Sequence, residues 1–210
     1  MFLNNLRYQY KKDELKQENM HKNPFLQFDD WFAQILKTDL LDPNAMHLST
    51  VCESNKPNNR VVLLKQFDQK GFVFFTNFNS KKGDHIAKNP NVCLTFYWRN
   101  LERQVRIEGK ASQIEDSLSD QYFQTRSRDS QLAAWSSNQS SKITSRSELE
   151  NKMKEYAKKY PNKVPRPPFW GGYRVVPSYF EFWQGRADRN HDRITYNLND
   201  DSWKMIRISP

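Results

Sequence analysis

The chain has 210 residues, 37% of them hydrophobic and 14% aromatic, and its 33 Lys+Arg against 24 Asp+Glu give a formal net charge of +9. Mean hydropathy is low, at −0.94, yet fourteen Phe, nine Tyr and six Trp bury enough area to close a core, which excludes a disordered chain. No apolar run approaches the ~20 residues of a membrane helix, the start MFLNNLRYQYKKDEL lacks the apolar stretch of a secretory signal, and Cys52 and Cys93, far apart in sequence, exclude a disulfide scaffold and fit a reduced, cytoplasmic setting.

Asn23-Pro24 predicts a helix start, with Asn as cap and Pro in the first turn. Phe25, Phe28, Phe32, Ile35 and Leu36 follow at helical spacing. Leu41 to Asn44 reads as a turn and Ala45 to Cys52 as a strand. Lys56 to Asn59 predicts a hairpin loop, Arg60 to Phe67 the next strand, Asp68 to Gly71 a second loop and Phe72 to Asn77 a strand dense in β-formers. A short helix over Lys81 to Lys88 must end before Asn89-Pro90, because the residue before Pro resists helix. Val92 to Arg99 and Arg103 to Ile114 predict two more strands. Glu115 to Thr125 and Asp129 to Asn138 read as helices, and Ser145 to Glu148 as a capping box opening a helix to about Tyr160. Val164 to Pro168 must be extended. Strands are expected at Tyr173 to Val176, Phe180 to Trp183, Arg193 to Tyr196 and Trp203 to Ile208. Short strands around a few helices predict a mainly β fold with helical insertions (α+β), a mixed-topology barrel. The sequence has no obvious linker, so residues 23–210 are expected to form one domain behind an N-terminal segment, 1–22.

A pI near 9.5 points to an anionic partner: nucleic acid, acidic lipid or a phosphorylated small molecule. The basic stretch from Lys142 to Arg166 is broken by Glu148, Glu150 and Glu155, and Glu150/Lys154 and Glu155/Lys159 sit at i, i+4, the pattern of a solvated helix face. This argues against a nucleic-acid tail. The four histidines share no metal-ligand spacing with one another or with the cysteines, so no metal site is expected. With six glycines there is no GxGxxG or Walker loop and no GxSxG elbow.

Three segments remain unusual. Arg60-Val-Val-Leu-Leu-Lys65 has a cation at each end of an apolar strand, and strand parity predicts that the two point to opposite faces. Tyr122 to Ser130 gathers phenol, guanidinium and hydroxyl groups where one helix ends and another begins, a combination that suits phosphate but also suits a capped surface helix pair. Phe182-Trp-Gln-Gly185 followed by Arg189-Asn-His-Asp-Arg193 is the third. Taken singly, Trp183 reads as core and His191 as surface.

Together with Phe74 to Asn77, Ser80-Lys-Lys82, Leu101-Glu-Arg-Gln-Val105, Gln131 to Ser141 and Phe169-Trp-Gly-Gly172, these segments resemble the pyridoxamine 5'-phosphate oxidase family in motif order, from about residue 7 to the C-terminus. The resemblance implies an FMN-binding split β-barrel homodimer with FMN in the cleft between subunits. It places FMN contacts on Arg60, Val61, Val62, Leu63, Leu64, Lys65, Phe75, Thr76, Lys81, Lys82, Gln104, Gln139, Ser140, Trp183 and Arg193. It places the substrate phosphate on Lys65, Tyr122, Arg126 and Ser130, and Arg189, Asn190 and His191 beside the substrate ring, with Arg189 and His191 as catalytic residues. Arg7 and Tyr10 match a segment that covers bound substrate. The implied reaction oxidises pyridoxine or pyridoxamine 5'-phosphate to pyridoxal 5'-phosphate, with hydride passing from C4' to flavin N5 and O2 reoxidising the flavin to give H2O2, plus ammonia from the amine. Neither nucleic acid nor membrane is an implied partner. Lys81, Phe75, Tyr8 and Asn190 depart from the usual pattern of the family. Rival readings are another split-barrel flavoprotein, such as a flavin reductase or phenazine-pathway oxidase, a vitamin B6 phosphate carrier, and a basic RNA-binding protein.

Overall fold

Aromatic residues at helical spacing set the first long element. In the computed structural model, which describes residues 8–210, α1 spans Pro24–Ile35, and the Asn23 side chain accepts from the Phe25 N–H at 2.9 Å. Its buried face carries Phe25, Phe28, Trp31 and Ile35. The strands are β1 (Ala45–Val51), β2 (Pro57–Leu63), β3 (Gln66–Asp68), β4 (Gly71–Asn77), β5 (Asn91–Trp98), β6 (Arg103–Gln113), β7 (Trp170–Gln184), β8 (Asp192–Asn199) and β9 (Ser202–Ile208). Four further helices are α2 (Lys81–Lys88), α3 (Asp116–Thr125), α4 (Arg128–Ser136) and α5 (Arg146–Lys159). The strands hydrogen-bond in the order β2-β1-β5-β6-β7-β4-β3, with β8 added to β7 and β9 to β8. The predicted mainly β, helix-inserted architecture is therefore present. Arg7 lies outside the described residues.

The chain divides into two compact units. The first comprises Met1–Leu48, Cys93–Gly109 and Pro177–Pro210. Here α1 packs through edge-to-face and tilted rings, Trp31 on Phe182 at 5.1 Å and Phe28 on Phe96 at 5.1 Å, geometries that add to area burial. The end of β7 pairs antiparallel with β8, Phe182 opposite Ile194 and Trp183 opposite Arg193, and β8 pairs with β9. The second unit comprises Ser49–Val92 and Lys110–Val176. Its axis is β4, buried at every position except Phe75, between β3 and the start of β7 with Phe75 opposite Gly172. Phe123, Leu132, Val164 and Trp170 form a small core beneath α3, α4 and α5.

Four local expectations change. The hairpin tip falls at Cys52 to Lys56, where Cys52 N–H donates to Lys56 O and Asn55 takes a left-handed φ of 58°. Pro57 consequently opens β2, a strand position that tolerates a missing N–H. The strand expected over Arg60 to Phe67 breaks after Leu63, because Leu64 turns into the core at 4% exposure while Lys65 N–H donates to Val73 O. Tyr173 to Val176 and Phe180 to Trp183 belong to one continuous strand, β7; Pro177 and Ser178 lie within it. The capping box at Ser145 is displaced: Glu148 accepts from the N–H and hydroxyl of Thr144, and Ser145 makes no cap bond. On α5 the i, i+4 ion pairs present are Arg146–Glu150 and Lys152–Glu148.

Candidate active site

The second unit contains a cavity of about 810 Å³, walled in part by Arg60, Lys65, Lys81, Lys82 and Arg126, with no Asp or Glu among its described lining residues. Arg60 and Lys65 share it because the break after β2 cancels the parity that would separate them. Five positive groups around one solvent space repel each other, so the space favours a ligand that brings negative charge.

Helix α2 delivers two of these cations. Ser80 caps it by accepting from Gly83 N–H, and Gly83 lies so close to the Phe78 carbonyl that an added Cβ would stand 1.9 Å from that oxygen. Only glycine lets the helix start this tightly. Lys82 is buried, and its Nζ donates to Gln139 Oε1 at 2.9 Å and to the hydroxyls of Thr76 and Ser80 at 3.1 Å. All three acceptors are neutral. Burial, with Arg60 nearby, brings the Lys82 pKa down to about 8. Ser140, with a left-handed φ of 76°, accepts from the Lys81 N–H through its hydroxyl, so the segment after α4 lies against the start of α2.

At Arg126 the chain leaves α3. Its guanidinium carbon sits 4.6 Å from the centre of the Trp170 ring, and its Nη1 is buried without a hydrogen-bond partner. Burial lowers its pKa. Phe75, Tyr122 and Trp170 stack nearly parallel, Phe75 on Tyr122 at 4.0 Å, which gives Phe75 a role through its ring and not through its backbone alone. Ser127 caps α4 and donates through its hydroxyl to Ser130 Oγ at 2.9 Å. The helix-pair reading of Tyr122 to Ser130 and the phosphate reading are therefore compatible: the caps hold the hydroxyls beside a buried, unsatisfied guanidinium N–H. These features fit a group carrying phosphate, as FMN does.

Residues of the other unit form a second cluster. The Trp183 and His191 rings lie 4.7 Å apart, and Tyr10 stands edge-on to both at 5.6 Å. Gly185 makes room for Tyr10, whose ring an added Cβ would meet at 2.7 Å. Arg186 N–H donates to His191 Nδ1 at 3.1 Å, so Nδ1 is unprotonated and neutral His191 carries its proton on Nε2. Burial and the Arg189 charge lower the His191 pKa. Asp188 and Arg189 both have positive φ, 53° and 61°, an arrangement that costs roughly 1–3 kcal/mol per strained residue. Arg193 donates to Glu181 Oε1 at 2.7 Å and to Ser209 O.

Of the residues predicted to touch cofactor or substrate phosphate, Arg60, Val61, Val62, Leu63, Lys65, Phe75, Thr76, Lys81, Lys82, Tyr122, Arg126, Ser130, Gln139 and Ser140 line the cavity. Leu64 does not, being a core residue. Tyr10, Gln104, Trp183, Arg189, Asn190, His191 and Arg193 belong to the other unit, with Arg189 and Asn190 exposed and Gln104 half-buried. Sequence reasoning assigned no role to Trp170, which also lines the cavity; the Phe169-Trp-Gly-Gly172 motif was its only signal. Nothing in the sequence pattern pointed to Glu181 as the partner of Arg193.

A sheet of this order beside a cavity lined by cations fits the class of FMN-binding split-barrel proteins. Residues 32–160 match pyridoxamine 5'-phosphate oxidase, and residues 170–210 match the pyridoxine 5'-phosphate oxidase C-terminal dimerisation region. The pyridoxine/pyridoxamine 5'-phosphate oxidase of Trichormus variabilis is 51% identical over 207 residues, 98% of this chain and 97% of that one. That of Haemophilus influenzae is 50% identical over the whole of both chains. Among solved structures, PhzG from Burkholderia lata in complex with tetrahydrophenazine-1-carboxylic acid is 28% identical with a TM-score of 0.89, covering 94% of this chain and 98% of its own. An FMN-binding protein from Nostoc punctiforme shares the fold at 20% identity and a TM-score of 0.71, over 91% of this chain and all of its own. The chain belongs to the pyridoxamine 5'-phosphate oxidase family.

Proposed function

We propose that this protein oxidises pyridoxine 5'-phosphate or pyridoxamine 5'-phosphate to pyridoxal 5'-phosphate, as an FMN-dependent homodimer in the cytoplasm that uses O2 as the terminal acceptor. The observation that carries the reading is the carboxylate-free cavity with five cations, one of them Arg126 with a buried, unsatisfied N–H. FMN, when bound, supplies two-electron oxidation at the substrate's C4' carbon and returns the electrons to O2 as H2O2.

The side chains bind, orient and exclude water. Arg60, Lys81, Lys82, Gln139 and Ser140 hold the cofactor. Lys82 gains a charged partner in place of three neutral ones, which strengthens its bonds. Arg126, Lys65, Tyr122 and Ser130 hold the substrate phosphate, and Trp170 supports Arg126 from one side. Remote binding energy at that phosphate aligns the reacting carbon. His191, neutral and donating from Nε2, and Arg189 fix the substrate ring and stabilise charge developing at the reacting carbon by preorganised electrostatics. No strong base is required. Tyr10, packed on Trp183 and His191, shields this end from water, with residues 1–22 as the covering segment of a single domain spanning 23–210.

The test is direct. Purified protein should show flavin absorbance and release H2O2 on addition of pyridoxine 5'-phosphate, with pyridoxal 5'-phosphate formed in equal amount. Flavin without phosphate-dependent turnover would favour a phenazine-type oxidase, the rival that the PhzG likeness supports. B6 phosphate binding without flavin would indicate a carrier.

A further inference from the structure

We propose that Thr50 and His85, neither of which lines the cavity, are positioning residues that hold Arg60 in register for an anionic ligand. The proposal rests on the reading of the cavity as a phosphate site. Arg60 Nη1 donates to Thr50 Oγ1 at 3.0 Å, while Nη2 donates to Asn58 Oδ1. Thr50 is fully buried, and its Oγ1 lies 3.1 Å from Nδ1 of His85, itself 4% exposed.

Proton counting sets the direction of the relay. The Thr50 oxygen accepts from Arg60, and its own proton needs an acceptor in a dry setting. His85 Nδ1 supplies one, provided that the ring is neutral with its proton on Nε2. Burial, together with the charges of Arg60, Lys81 and Lys88, outweighs Asp84 and keeps the His85 pKa below its usual range, so the neutral form prevails at pH 7. His85 therefore orients the Thr50 hydroxyl, and the hydroxyl presents its lone pair to Arg60. His85 sits on α2, four residues beyond Lys81 and three beyond Lys82, so one helix carries two cavity cations and the residue that orients a third on β2. Losing the relay removes the Thr50 anchor of Nη1, while the Nη2 bond to Asn58 stays.

The experiment is titration of ligand-free protein with FMN, followed by quenching of flavin fluorescence. Thr50→Val is isosteric and removes both the acceptor and the donor, and His85→Leu removes the orienting acceptor. Each should weaken FMN binding about three- to tenfold, the cost of immobilising a long side chain at the moment of binding. Thr50→Ser and His85→Gln, which restore a hydroxyl and an acceptor, should return affinity to within about twofold of the parent. In an Arg60→Ala background, Thr50→Val should have no further effect, because the residue through which it acts is gone. Inorganic phosphate is titrated in parallel by thermal shift, so the relay is decided even if FMN is not the cofactor. Parental affinity in Thr50→Val, or an equal loss with and without Arg60, would overturn the proposal. Loss of turnover with FMN affinity intact in all variants would also overturn it.

Discussion

Removing the Arg126 side chain separates a phosphate-binding role from a structural one. Among the described residues the guanidinium has no ion pair; it rests on Trp170 at 4.6 Å with Nη1 unpartnered. Arg126→Ala forfeits a cation–π contact worth roughly 0.5–1 kcal/mol at a partly exposed site but also relieves a desolvated charge. The two effects oppose, so the melting temperature of the ligand-free protein should move by no more than about 2–4 °C, the shift expected for ~1 kcal/mol at this chain length. Substrate binding behaves differently. A charge-assisted bond contributes roughly 1.5–3 kcal/mol, so kcat/KM for pyridoxine 5'-phosphate should fall by about ten- to a hundredfold or somewhat more. Pyridoxine itself has no phosphate to lose, and its already poor rate should hardly change. The assay is kcat/KM for both compounds in parent and variant, read as H2O2 release. A phosphorylated-to-unphosphorylated ratio that survives Arg126→Ala would refute the assignment, and a large drop in melting temperature would return Arg126 to a structural role.

Lys82 carries a pH signature. Its pKa of about 8 lies below the ordinary 10.5, so between those values the unfolded chain binds more protons than the folded one, and ligand-free stability should rise as pH climbs from about 8 to about 10.5. FMN should abolish that rise by restoring the charge, and Lys82→Met should abolish it while weakening FMN; denaturant titrations of ligand-free and loaded protein across this range provide the check. Arg189→Met should slow anaerobic flavin reduction much more than it weakens FMN binding, and His191→Asn should do so to a smaller degree; unchanged reduction rates in stopped-flow would reduce both to surface residues. Gly185→Ala places a methyl group 2.7 Å from the Tyr10 ring, so Tyr10 must leave Trp183 and His191, and KM should rise with little change in FMN affinity. A parental KM would show that Tyr10 does not cover the substrate.

Much of the element order was legible because local rules sufficed: Asn23 capping α1, Pro90 closing α2, and the alternation of Val105, Ile107 and Gly109 along β6 all operate within a few residues. The errors arise where tertiary context decides. Leu64 is an apolar residue among apolar residues, and only the core behind it tells that the strand must break there, which is also what brings Lys65 to the cavity of Arg60. Pro177 reads as a strand terminator, yet β7 passes through it. The motifs pointed to residues that line the cavity, such as Arg60, Lys82 and Arg126, whereas Glu181, Thr50 and His85 belong to no motif. Thr50 and Glu181 each bond an arginine on the following strand, 10 and 12 residues on, and His85 reaches Thr50 from a helix 35 residues away; single-chain periodicity contains no record of such pairs.

The way the first unit is assembled from three distant stretches has a consequence for how the protein is made. Tyr196 donates to His21 O across 175 residues, and Arg207 donates to Leu15 O across 192. Contacts this remote require closing nearly the longest loops that the chain can form, which slows folding. During synthesis, α1 leaves the ribosome with its Phe and Trp face uncovered; Phe96 on β5 follows about 70 residues after Phe28, and Phe182 on β7 about 150 residues after Trp31. At roughly 5–20 residues per second that face waits on the order of ten seconds or more for its partners. Expression yield should therefore depend on chaperone supply and temperature more than the stability of the finished fold suggests.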